Sequence, residues 1–215
     1  MSEEAYPETF EYFTQKGMEV IKFPRQNKPY EAVDHHPDMF MFYDEKLFVE
    51  PSCGILGLPC ELLGEQYPQT IKYNIAKVSN SVICKYDSIS DVIKAHIESV
   101  GYSVINVKQG YSKCSTAIVG KSIITSDKGI YEACRHQINS LLVQSGHIEL
   151  PGLDYGFIGG TCVSFDDTAF FHGDISKHPD YARVKEFIEK QNMKIEYLKH
   201  PLMDIGSFII IERSE

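Results

Sequence analysis

The feature that most constrains this chain is a period. Gly17, Gly101, Gly146 and Asn192 are residues that tolerate the left-handed conformation, and each ends an amphipathic stretch: PETFEYFTQKG, SDVIKAHIESVG, IYEACRHQINSLLVQSG and DYARVKEFIEKQN. Apolar residues recur there at three- and four-residue spacing, which predicts four helices. The last three stops lie about 45 residues apart and the first two about twice that, so one unit is hidden in the first gap. Ser88 with Asp91 resembles a capping box, and Pro179 suits the first turn of the last helix.

A short β-rich segment follows each stop: MEVIKF, YSVINV, HIELP and MKIEYL. A polar loop comes next, then a longer β-rich stretch with a turn inside it. These stretches are MFMFYDEKLFVE, STAIVGKSIITSD, CVSFDDTAFFHGD and the truncated SFIIIERSE, with Asp44-Glu45, Gly120-Lys121 and Asp166-Asp167 as hairpin turns. The hidden unit supplies YNIAKVSNSVICKYD, turning at Ser79-Asn80, with PCELLG as a reduced helix. Five units of about 43 residues therefore account for the chain, at roughly 1–50, 51–87, 88–126, 127–174 and 175–215. The expectation is one domain in the α/β class, with the units closed into a ring; an open α/β sandwich is the alternative.

A net charge of −9 without a basic block argues against nucleic acid or an anionic membrane as the partner. The first ten residues lack an apolar signal-peptide core, and no stretch approaches the roughly 20 apolar residues of a membrane span. A cytoplasmic protein is expected, with a small molecule or another protein as its partner. Its oligomeric state is not legible. Six cysteines without a CxxC pair read as reduced thiols, mostly buried as small apolar side chains.

In a ring of equivalent units, the loops entering the hairpins converge on one end of the axis. They carry His35, His36 and Asp38 in the first unit, Asn74 in the second, and Ser112, Lys113 and Cys114 in the third. The fourth carries Asp154, Gly159 and Gly160, and the fifth Asp204, Gly206 and Ser207. A mouth holding Asp38, Asp154 and Asp204 is acidic and favours an amine or guanidinium, which carboxylates grip well.

PDMFMFYD resembles the first-unit strand of the guanidine-group-modifying, or pentein, superfamily, which includes dimethylarginine dimethylaminohydrolases, arginine deiminases and amidinotransferases. QGYSKCSTAIVGKSIITS is similar to the third unit of that superfamily, and GFIGGTCVSF to its glycine-pair strands. The resemblance implies the pentein fold, a five-bladed α/β propeller of five pseudo-symmetric repeats, with a central site for an arginine-like substrate. It also implies a last-unit cysteine attacking the guanidinium carbon, a third-unit histidine relaying protons, and acidic residues holding the guanidinium. Here the last unit reads LMDIGSFIII, with Gly206 or Ser207 at the nucleophile's place, and the third unit reads YSKC where the histidine would stand. Asp38 matches directly.

These residues allow three functions. The first is a catalytically divergent binder of a small guanidino or amino compound. The second is a C–N hydrolase that uses Cys114 as nucleophile and His35 or His36 as proton shuttle, with Asp38 in the catalytic set. The third is an interaction scaffold. Lys113 lowers the Cys114 thiol pKa only if the two side chains meet, and neighbours on a strand point to opposite faces. His35, His36 and Asp38 have no companion cluster at metal spacing, so neither a metal nor another cofactor is expected. The GFIGG stretch lacks the lysine and following helix of a phosphate loop, and reads instead as close backbone packing at the axis or a ligand.

Overall fold

The computed structural model describes residues 1–212. Helix α1 (Pro7–Gln15) comes first, with proline in its first turn and Phe13 buried. A single helical turn, α2 (Pro37–Phe40), leads into β1 (Met41–Asp44) and β2 (Lys46–Val49), and β3 (Leu58–Pro59) completes the first sheet. The second sheet is β4 (Ala76–Val78), β5 (Ser81–Cys84) and β6 (Ser103–Asn106), with α3 (Asp91–Val100) between the last two. In the third, β7 (Thr116–Val119) and β8 (Ser122–Thr125) precede α4 (Lys128–Cys134) and β9 (Ser140–Leu142). The fourth has β10 (Cys162–Phe165), β11 (Thr168–Phe171), α5 (Tyr181–Glu189) and β12 (Lys194–Tyr197).

The protein is thus a mixed α/β structure with four three-stranded sheets of one topology among the described residues: an antiparallel hairpin, then a parallel third strand beside its second. Local turn chemistry sets the hairpins. Glu45, Ser79, Gly120 and Asp166 all adopt positive φ at the turns, the backbone that tight hairpins require. The N-terminal segment adds a parallel bridge, Ser2 to Phe23, in which the Phe23 N–H donates to Met1 O at 2.8 Å and the Glu3 N–H to Phe23 O at 2.9 Å.

Several expectations fail for identifiable reasons. The helix expected from Ile130 to Gly146 stops at Cys134, and residues 140–142 pair instead with β8, which satisfies their backbone groups along a ladder. PDMF is helical rather than extended: Pro37 fixes the first helical φ, and the turn presents Asp38 to the interior. MEVIKF and HIELP form only isolated bridges, and PCELLG forms no helix. The N-cap of α3 is Ser90, whose hydroxyl accepts from the Ile93 N–H, rather than Ser88; α5 begins at Tyr181, beyond Pro179. Residues 207–212 carry no ladder, and the remainder of the expected last hairpin, 213–215, lies outside the described residues.

The first strands of the sheets come together, with β7 packed against both β4 and β10. Behind them the sheets and helices bury apolar layers, such as Ile93 and Ile97 of α3 and Val184 and Ile188 of α5. Phe13, Phe170 and Phe208 join α1, the fourth sheet and the C-terminal segment. Among the described residues no helix is long and apolar enough to cross a membrane.

Candidate functional site

The segments before the four first strands turn inward, and the C-terminal loop that carries Asp204 and Ser207 meets them as a fifth. They bring together His36, Asp38, Asn74, Cys114, Gly159, Gly160, Asp204 and Ser207, all buried, with Lys113 half-buried beside them. Backbone bonds tie the loops: Gly160 N–H donates to Cys114 O, Ser207 N–H to Gly160 O, and Asp38 N–H to Gly206 O, at 3.1, 3.1 and 3.2 Å. Glycine is required at 160 because a Cβ there would overlap the Asp204 carboxylate.

Asn74 organises the third loop. Its Oδ1 accepts from the N–H groups of Lys113 (2.7 Å) and Cys114 (3.2 Å), while its amide donates to Asp38 O (3.2 Å) and lies 3.0 Å from the Cys114 sulfur. The Cys114 thiol donates to Asp38 Oδ2 at 3.2 Å. The Ser207 hydroxyl lies 2.9 Å from the same carboxylate oxygen and 2.8 Å from Gly159 O, so its one proton serves one acceptor at a time. The Lys113 ammonium donates to Ser207 Oγ at 2.9 Å and lies 3.5 Å from Gly159 O. Ser207 holds a positive φ of 68°, a strained backbone for a non-glycine residue.

Three buried polar atoms in this cluster have no hydrogen-bond partner among the described residues: Asp38 Oδ1 and both ring nitrogens of His36. The 3.8 Å between His36 Nδ1 and Asp204 Oδ1 is too long for a hydrogen bond, and the ring is uncharged, so no ion pair forms. Burial pushes His36 down to about 3. Burial also raises Asp38, against the opposing pull of His36 and Lys113. Asp204 is raised to about 6 by burial although Phe157 N–H and Gly206 N–H donate to its two oxygens at 2.8 and 2.9 Å. The Cys114 thiol goes well above its usual range through burial and the charges of Asp38 and Asp204.

Asp38 and Lys113 reach a cavity of about 390 Å³ whose apolar wall includes Phe42, Ile75, Ile118 and Phe208. The wall draws on β1, β7, β10, Ile75 just before β4, and the C-terminal segment. On the other side, the Tyr30 hydroxyl meets that of Tyr111 at 3.3 Å, and burial raises the Tyr30 phenol above its ordinary value.

Two expected site residues stand elsewhere. Asp154 is exposed on its loop and adds no charge to the buried cluster. His35 faces the N-terminal segment, with Nδ1 2.8 Å from Ser2 Oγ and Nε2 3.5 Å from Glu4. The lysine–thiol pairing also does not form, because the Lys113 ammonium goes to Ser207. The apolar wall and Tyr30 escape a sequence reading that looks for polar residues in hairpin-entry loops. Only the aromatic residues flanking those loops hint at them. Among the described residues, no three metal-ligating side chains gather in one place.

A family of unknown function, DUF6873, matches residues 1–209. No curated protein and no solved structure matches the chain. With nearly its whole length inside that match, the chain belongs to the DUF6873 family.

Proposed function

We propose that this protein binds a small amino or guanidino compound in the central cavity, and that it does so as a catalytically divergent relative of the penteins. The observation that carries this reading is Asp38 Oδ1, a buried carboxylate oxygen without a partner on a residue that reaches the cavity. A buried acceptor of this kind costs free energy until a donor meets it, and an amine or guanidinium supplies both a donor and the opposite charge. The five-bladed ring belongs to the same proposal. Its support is the shared topology of four sheets, the convergence of five entry loops, and the parallel bridge between the N-terminal segment and Phe23.

Hydrolysis through Cys114 has less support. A thiol raised by burial and bonded to a carboxylate holds little thiolate, and thiolate is the nucleophilic form. Ser207 shares the Asp38 carboxylate with the Cys114 thiol and also accepts from the Lys113 ammonium, and neither His36 nitrogen bonds to its hydroxyl.

Thermal unfolding with agmatine, arginine, methylated arginines, guanidinoacetate and simple alkylamines tests the binding. A ligand at one hundred times its Kd adds about 2.7 kcal/mol, which raises the midpoint by several degrees in a protein of this size. The expected result is a selective rise that vanishes in Asp38→Asn. No rise with any compound, or the same rise in the variant, sinks the reading.

A further inference from the structure

We infer that Lys113 sets the charge selectivity of the cavity, so that the ligand is a singly charged cation with an apolar body, and dications are rejected. The inference rests on the proposed binding at Asp38 and specifies its substrate class.

The charges around the cluster carry the argument. Two carboxylates, Asp38 and Asp204, are buried there with one ammonium, and His36 adds no charge because burial holds it neutral near pH 7. The Lys113 ammonium and Asp38 Oδ2 both lie 2.9 Å from Ser207 Oγ, so a fixed cation already sits one hydroxyl away from the Asp38 carboxylate. Asp204 is committed to the Phe157 and Gly206 N–H groups. With both carboxylates ionised, the cluster keeps a single net negative charge, and Asp38, which reaches the cavity, has in Oδ1 the carboxylate oxygen without a protein partner among the described residues.

Among the described residues, the rest of the cavity holds no second buried anion. Its wall includes Phe42, Ile75, Ile118 and Phe208, and its other ammonium, Lys77, is paired with Asp44. Asp166 also lines it, from an exposed turn where solvent and salt screen its charge. A second positive charge four carbons from the first therefore loses hydration against apolar side chains and gains repulsion from Lys113. An alkyl tail gains burial there instead.

Titration calorimetry at pH 8 in 0.1 M salt on matched pairs tests this: n-butylamine against 1,4-diaminobutane, and n-butylguanidine against agmatine. In the wild-type protein each monocation should bind at least about tenfold more tightly than its dication. Lys113→Met should shrink that ratio by strengthening dication binding, and Lys113→Arg, which keeps the charge, should preserve it. Equal or tighter dication binding by the wild type overturns the inference, as does an unchanged ratio in a folded Lys113→Met. If Lys113→Met does not fold, the wild-type and Lys113→Arg ratios decide. Failure of all four compounds to bind, or binding that survives Asp38→Asn, would instead bring down the proposed site itself.

Discussion

At the scale of single residues, the buried titratable groups set the response to pH. His36 and His172 are both held at about 3 by burial, far below the usual histidine value of 6.5. Each contributes stability that is present above pH 6.5 and is lost as pH falls towards 3, because only the unfolded chain takes up the proton in that window. Asp204, raised to about 6, acts the other way: its contribution is present below 3.8 and lost as pH rises through 6. Asp38, also raised by burial, acts in the same sense as Asp204, but the lowered histidines His35 and His178 and the lowered carboxylates Asp44 and Glu50 act with His36 and His172 and outweigh the two aspartates. The urea midpoint should therefore fall between pH 6.5 and 4, each histidine adding up to about 1.4 kcal/mol per pH unit to the slope. His172→Gln keeps an acceptor for the Tyr6 N–H, bound to Nε2 at 3.2 Å, and should flatten the profile by one histidine's share. An unchanged slope in that variant would show that His172 is not held neutral.

At the scale of elements, the entry loops and the crossover helices have separable jobs. Gly160→Ala forces a Cβ into the Asp204 carboxylate, so it should cost at least the 1–3 kcal/mol usual for overpacking and abolish the ligand response. Ser90→Ala removes the N-cap of α3, a hydroxyl that accepts from the Ile93 N–H rather than from the cluster, and should cost about 1 kcal/mol while leaving ligand binding intact. Denaturation curves with and without ligand check both. If Ser90→Ala impaired binding as much as Gly160→Ala, the response would report overall stability rather than the site. The hairpins were readable in advance because a two-residue turn such as Ser79-Asn80 or Gly120-Lys121 carries its own backbone preference. The early end of α4 was not. IYEACRHQINSLL is periodic enough for a longer helix, but a ladder beside β8 competes for residues 140–142 and wins.

At the scale of the whole molecule, the two ends of the chain are tied through Phe208. Its ring packs against Phe13 of α1 and Phe170 of β11, at 5.4 and 5.9 Å between centroids. Phe208→Ala should cost about 3–5 kcal/mol, read as a lower urea midpoint, and should also disturb the cavity that this ring lines. A loss below about 1 kcal/mol would mean that the C-terminal segment contributes little to holding the fold together. By itself the sequence determined the recurrence of four hairpins, their turns, and the hairpin-entry positions of Asp38, Asn74, Lys113, Cys114 and Gly160, because a recurring unit places equivalent loops in equivalent positions; Asp204 and Ser207 lead instead into a segment without a ladder among the described residues. The tertiary structure alone decided that Asp154 and His35 stand outside the cluster, that the lysine meets the serine rather than the thiol, and that Asp38 keeps an oxygen free. Those outcomes depend on side chains distant in sequence competing for the same few buried partners, and neither periodicity nor propensity encodes that competition.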